Sequence, residues 1–179
     1  DELFRRLDEL RVRGLDYLVE KVPPSDVDDF KLNSLMDVSY KRILNRFFSS
    51  SKPEVSRVVL DNYNLGSALH HYLQRLESQG AEVVVAYRAD DTYIETRVAS
   101  VVAKRERIEE LRALNGDPEF RVDGLSVGSG SALRSDTQEW LHAWRASGKP
   151  WPWFIRRSYA SIRKIDGGTL RRKRDVPDP

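Results

Sequence analysis

The chain has 179 residues, 40% hydrophobic and 32% charged, with a formal net charge of +2. That is the composition of one soluble globular domain, and a charge so near neutral leaves any nucleic-acid affinity to local patches. The absence of cysteine excludes a disulfide framework, a thiolate zinc site and a cysteine nucleophile, and no apolar run approaches the roughly 20 residues of a membrane helix. No membrane partner is expected, and the chain is read as cytoplasmic.

The first expected element is a helix over Glu2 to Val12, with Leu3, Phe4, Leu7 and Leu10 on one face and Gly14 as its stop. A helix that starts at the first residue has no preceding cap, which is read as a sign of an absent front. Tyr17, Leu18, Val19 and Val22 support a strand that Pro23 and Pro24 end. Ser25 to Asp29 follows as an acidic, solvated turn in which Ser25 can cap a short helix. A second helix is expected over Asn33 to Phe48, with Leu32, Leu35, Met36, Ile43, Leu44 and Phe47 buried, before a loop over Ser49 to Pro53.

Val58, Val59 and Leu60 then form a short apolar run ending in Asp61, the pattern of a buried strand. Ser67 to Gln79 reads as a helix, and its adjacent His70 and His71 point about 100° apart, so they cannot chelate one metal together. One packed and one exposed histidine are expected. Val83, Val84 and Val85 make the next strand, and Asp90 and Asp91 stand where it ends. Two parallel strands joined by one helix finish on the same sheet edge, so Asp61 and Asp90 can approach each other. Ligand sites in open α/β sheets lie at such edges. A hard cation such as Mg²⁺ takes one or two carboxylates and fills its shell with water and substrate phosphate. The other reading is that Asp61 begins a turn and Asp90 caps the helix.

From Thr92 a long helix is expected to about Asn115, with Ile94, Val98, Val101 and Val102 inward and Gly116, Asp117 and Pro118 as its stop. Phe120 to Asp136 holds Gly124, Gly128 and Gly130 and is read as a mobile or ligand-shaped loop outside the core. Asp136 caps a helix to Ala146 that turns Trp140, Leu141 and Trp144 inward. Beyond it, Trp151, Trp153 and Phe154 alternate with proline, and Arg156, Arg157, Ser158 and Tyr159 mix basic and aromatic side chains. Such a segment suits either a core lid or a grip on a nucleic-acid backbone. The tail, with Leu170 to Arg174 as a basic run, is expected to be disordered.

Several of these motifs, in order, resemble the ribonuclease HII (type 2 ribonuclease H) family over about Glu2 to Ile165. VVLD at 58–61 resembles the strand that carries the family's third catalytic acid. RADDTYIETRVASVVAKRER at 88–107 resembles the fourth-acid turn and its Ser-x-x-Ala-Lys helix, here with Ser100 and Lys104. GSG at 128–130 before Ser135 and Asp136 resembles the glycine-rich loop, and RRSY at 156–159 the closing Arg-Ser-aromatic segment. ELFRRL at 2–7 and YLVEKVPP at 17–24 fall where the family has a helix and a Glu-x-x-Pro-Pro strand.

The resemblance implies a ribonuclease H-like α/β fold and an endonuclease that cuts the RNA strand of an RNA/DNA hybrid with two ions, Mg²⁺ or Mn²⁺, held by four acids. Asp61 and Asp90 would be two of the four. Lys104, Ser129, Gly130, Arg156, Arg157, Ser158 and Tyr159 would contact the nucleic acid. The family's Asp-Glu-Ala-Gly-Arg-Gly motif, which carries the other two acids, is absent from this chain, as is the tyrosine after GSG, replaced by Ser131, Ala132, Leu133 and Arg134. The missing acids are expected from an absent N-terminal segment or a partner chain. The alternative is a catalytically degenerate nuclease-fold module that binds nucleic acid or a protein partner. The expected division is an N-terminally incomplete α/β core over 1–115, the glycine-serine loop and helical region of the same domain over 116–166, and the basic tail over 167–179.

Overall fold

The computed structural model describes residues 2–49, 55–168 and 173–176. Eight α-helices and two strands are assigned there, and the chain divides into two units. The first comprises Asp1–Val22, Phe30–Lys104 and Arg174–Pro179, the second Pro23–Asp29 and Arg105–Lys173. The boundary therefore falls inside a helix and detaches one short segment from its sequence neighbours.

In the first unit, helix α1 (Glu2–Val12) opens the chain and α3 (Leu32–Ser49) follows, both where the apolar spacing places them. Strand β1 (Arg57–Asp61), helix α4 (Ser67–Ser78) and strand β2 (Glu82–Ala86) form a βαβ unit. The strands pair in parallel, from Arg57 opposite Glu82 to Asp61 opposite Ala86. Leu69, Tyr72, Leu73 and Leu76 recur at helical spacing on α4 and pack against Val58, Leu60 and Leu44. This layer is the unit's core. Both His70 and His71 fall off its stripe and are exposed, which corrects the expectation that one is packed.

The strand expected at Tyr17 to Val22 does not form. Among the described residues the sheet has only β1 and β2, and a strand needs a neighbour to take its backbone hydrogen bonds. That segment is anchored by side chains instead: Glu20, its side chain 13% exposed, accepts from Arg42 at 3.1 Å and lies 3.3 Å from Arg46. For the same reason Val83, Val84 and Val85 are half-buried and not covered on both faces. Leu32 and Phe47, expected inside α3's stripe, are exposed.

In the second unit, helix α2 (Pro24–Asp29) starts at Pro24, so proline, whose fixed φ and missing N–H suit the first helical position, replaces the expected Ser25 cap. After helix α6 (Ile94–Gly116) and a 3₁₀ turn at Pro118–Phe120, the chain reaches α7 (Ser135–Ala146) and α8 (Ala160–Asp166). Trp140, Leu141 and Trp144 are buried as expected. Phe120, Val122 and Val127 are buried with them, so the segment after Asn115 is part of the core and not a detached loop. Phe154 meets Phe120 edge-on, with centroids 4.9 Å apart, and stacks at 6.0 Å on Trp140. Of the two readings of the Trp-Pro connector, Phe154 takes the core role, whereas Trp153 is 69% exposed.

Part of the expected disordered tail, at 169–172 and 177–179, lies outside the described residues. Where described, Arg174 and Val176 bond within the first unit, Lys31 N donating to Arg174 O at 2.8 Å and Val176 N to Ser34 Oγ at 2.7 Å, whereas Lys173 bonds within the second, to Val27 O and Ser158 Oγ. Among the described residues no helix is long and apolar enough to cross a membrane.

Candidate functional site

Asp61 is the last residue of β1, and only Tyr87 and Arg88 separate the end of β2 from helix α5 (Ala89–Thr92). Parallel pairing brings both strand ends to one edge. Asp61 Oδ1 accepts the backbone N–H of Ala89 at 3.0 Å, so the first acid is hydrogen-bonded to the residue immediately before the second. Both Asp61 and Asp90 are exposed.

The turn that carries Asp90 is conformationally unusual. Arg88 caps α5 with φ +52° and ψ +46°, a left-handed conformation uncommon for a side chain of this size. Tyr93 is extended, so the helix expected from Thr92 is broken into α5 and α6 there. Arg97 bridges the break: Nε donates to Asp90 O at 3.0 Å and the guanidinium to Asp91 O at 2.6 Å. These are carbonyls that a four-residue helix leaves unpaired. Asp91's carboxylate is committed to Arg88 at 2.7 Å. Among the described residues no group takes up that of Asp90.

Beside this edge, Tyr63 and Tyr40 stack with centroids 5.6 Å apart. Burial raises the Tyr40 hydroxyl above its ordinary value, and the negative charge of Asp61 adds to the shift. Tyr63 is raised much further by burial and by donating to Asp37 Oδ1 at 2.7 Å. Both phenols therefore remain protonated donors at neutral pH. Ile94, expected inside, is 62% exposed at the start of α6 while Val102 is buried further along it, and Lys104 is exposed.

Two exposed carboxylates on one edge are hard oxygen donors, which fits one hydrated divalent ion with one or two protein ligands. Among the described residues no cluster of three or more His, Asp or Glu side chains could hold an ion.

In the second unit the glycine-serine loop is pinned from both sides. Asn115 brackets Gly128, its Oδ1 accepting Gly128 N at 2.8 Å and its Nδ2 donating to Gly128 O at 2.9 Å. Asp136, expected to cap α7, sits inside its first turn after Arg134 at the cap position. Its carboxylate accepts from Thr137 N at 2.8 Å, from Ser129 N at 2.8 Å and from Ser129 Oγ at 3.1 Å. The Thr137 amide is the first cause that holds the Asp136 carboxyl below its ordinary value, with the Ser129 amide and hydroxyl adding to it. Ser129's donors are therefore directed inward, while Gly130 is exposed.

The basic-aromatic segment belongs to the same unit. Arg156 places its guanidinium 4.4 Å from the Tyr159 ring centroid, and its Nε donates to Ser158 Oγ at 3.2 Å. The side chain of Arg157 is 66% exposed and Tyr159 is 52% exposed. Arg97, Asn115 and Asp136 shape these sites, although sequence reasoning does not single them out as site residues. For Asn115 and Asp136 a glycine loop needing amide partners is the available signal, and for Arg97 there is none.

A family model described as ribonuclease HII matches residues 2–162. The ribonuclease HII of Aeropyrum pernix is 31% identical over 174 residues, covering 97% of this chain and 72% of that protein. The ribonuclease HII of Pyrococcus abyssi is 30% identical over 171 residues, covering 93% and 68%. Among solved structures, the ribonuclease H2 of Pyrococcus horikoshii OT3 superposes with a TM-score of 0.71 at 25% identity, over 93% of this chain and 75% of that one. The PCNA:RNase HII complex from Archaeoglobus fulgidus gives 0.60 at 25% identity, over 95% and 84%.

Proposed function

The chain belongs to the ribonuclease HII family, and from that premise we propose that it cleaves the RNA strand of RNA/DNA hybrids by two-metal-ion phosphodiester hydrolysis. Asp61 and Asp90 are two of the metal-holding acids, and the others come from outside these 179 residues, on a further segment or a partner chain. The observation that carries this reading is the hydrogen bond from Ala89 N to Asp61 Oδ1, which ties both acids to one sheet edge. Mg²⁺ or Mn²⁺, when bound, supplies the positive charge that activates a water and stabilises the leaving 3′ oxygen.

The chain's own part is binding and orientation. Asp61 and Asp90 hold negative charge at the edge where the scissile phosphate arrives. Lys104 draws phosphate from the α6 face. Arg156 and Arg157 neutralise backbone phosphates, Tyr159 offers a ring to sugar or base, and Ser158 lines the ribose side with the exposed Gly130, which Ser129 holds in place through Asp136. The reaction is assigned to the cytoplasm.

The test is cleavage of a labelled RNA/DNA hybrid in Mg²⁺ or Mn²⁺ by the protein expressed from its own start codon. A lost metal ligand removes several kcal/mol of charge stabilisation, so Asp61→Asn and Asp90→Asn are each expected to slow cleavage by about 10³-fold or more. A full-length protein that binds the hybrid and never cuts it would establish the catalytically degenerate module instead.

A further inference from the structure

Asp28 belongs to an acidic turn that reads, in the sequence, as no more than a solvated surface. In the structure its two carboxylate oxygens each accept one of two consecutive backbone N–H groups, Oδ2 from Arg157 and Oδ1 from Ser158, both at 2.8 Å. The partners are 129 and 130 residues apart in the chain. We infer that Asp28 is a positioning residue for hybrid binding, setting Arg156 and Tyr159 in the posture that meets the nucleic-acid backbone. The inference rests on the reading of residues 156–159 as a backbone-contacting segment.

First, hydrogen bonds to an ionised carboxylate are stronger than neutral ones, and two on successive amides fix the backbone between Arg156 and Tyr159. The side chains on either side inherit that order: Arg156 lies over the Tyr159 ring and donates to Ser158 Oγ. Second, Arg156, Arg157 and Lys173 gather here, with Lys173 Nζ 3.4 Å from Ser158 Oγ and bonded to Val27 O. Asp166 stands 3.9 Å from the Arg157 guanidinium, and Asp28 adds a second carboxylate to this cationic cluster from the backbone side. The Arg157 side chain and the Tyr159 ring stay accessible, 66% and 52% exposed. Third, α2 has no buried residue. Pro24 and Val27 are only half-buried, so the carboxylate-to-amide contact is the strongest polar tie between α2 and this segment.

The experiment is a double-mutant cycle read by fluorescence anisotropy of a labelled RNA/DNA hybrid, in chelator so that nothing is cut, with the full-length protein. Asp28→Ala is expected to weaken binding about tenfold, the scale of one charge-assisted hydrogen bond. Asp28→Asn keeps one acceptor oxygen and is expected to weaken it about threefold, and it carries the cycle if the alanine variant fails to fold. In an Arg156→Ala/Tyr159→Ala background the effect of either Asp28 variant should vanish, because the groups it positions are gone. Equal losses in both backgrounds would mean a general structural role and would overturn the inference. If Arg156→Ala/Tyr159→Ala weakens binding while both Asp28 variants bind normally, positioning alone fails. If Arg156→Ala/Tyr159→Ala itself binds normally, the underlying reading of the segment fails and the inference falls with it.

Discussion

Replacing Gly128 by alanine tests how the glycine-serine loop is held. Gly128 has φ +76°, and a Cβ there would stand 2.8 Å from Asp136 Oδ2 and 3.2 Å from the Asp136 backbone carbon. The left-handed conformation costs a side chain about 1–2 kcal/mol, and forcing an atom into an occupied space adds about 1–3 kcal/mol. Asp136 has little room to retreat, because its carboxylate is bound to Ser129 and Thr137. Gly124 is the control: it shares φ +76° but has nothing within 4 Å of its Cβ position, so alanine there carries the conformational cost alone. The expected difference between the two variants is about 1–3 kcal/mol. All four tryptophans, at 140, 144, 151 and 153, lie in the second unit, so their fluorescence reports on the unit that contains the loop. In a thermal melt of a unit this small, each kcal/mol moves the midpoint by about 4–8 °C. Equal shifts for Gly124→Ala and Gly128→Ala would refute the steric argument and the tight seat it assigns to Asp136.

Two further outcomes are expected. Asp136 has a lowered folded-state pKa, so its contribution is present above the ordinary carboxyl value of 3.8 and is lost as pH falls below it. The tryptophan-reported midpoint of the native protein should therefore fall more steeply below about pH 4 than that of Asp136→Asn, with the native protein the more stable at pH 7; parallel curves would contradict this. In the first unit, Leu69 is fully buried whereas His70 is exposed. Leu69→Ala should cost about 2–5 kcal/mol by circular dichroism in denaturant and His70→Ala under about 0.5 kcal/mol, and comparable losses would mean that the buried face of α4 lies elsewhere.

Elements whose partners lie close by along the chain are legible in the amino-acid sequence alone. The α4 stripe and the two flanking strands form a self-contained βαβ unit, and local spacing is enough to place each of them. The strand expected at Tyr17 to Val22 fails because β-branched and aromatic content describes only a willingness to pair, and no described strand lies beside it. The glycine-serine segment misleads in the opposite direction. Three glycines suggest mobility, but Asn115 takes both backbone groups of Gly128, Asp136 takes the Ser129 N–H, and Phe120, Val122 and Val127 are pulled into the core.

The candidate site divides along the same line. That Asp61 lies beside the turn carrying Asp90 is legible because Asp61 ends β1, the turn follows β2, and parallel strands end together, a consequence of chain direction that holds whatever else the fold contains. The residues that shape the site are not, because their chemistry is ordinary and only their aim is special. Arg97 is one of many arginines until its guanidinium closes the carbonyls of the Asp90 turn, and Asp28 is one of several acids until its oxygens meet amides 129 and 130 residues away. A carboxylate's type can be read from one position, but its partner is set by the path of the whole chain. Substitution at Arg97 should accordingly disturb Asp90 through its backbone, leaving the Asp61–Ala89 contact to report whether the edge itself survives.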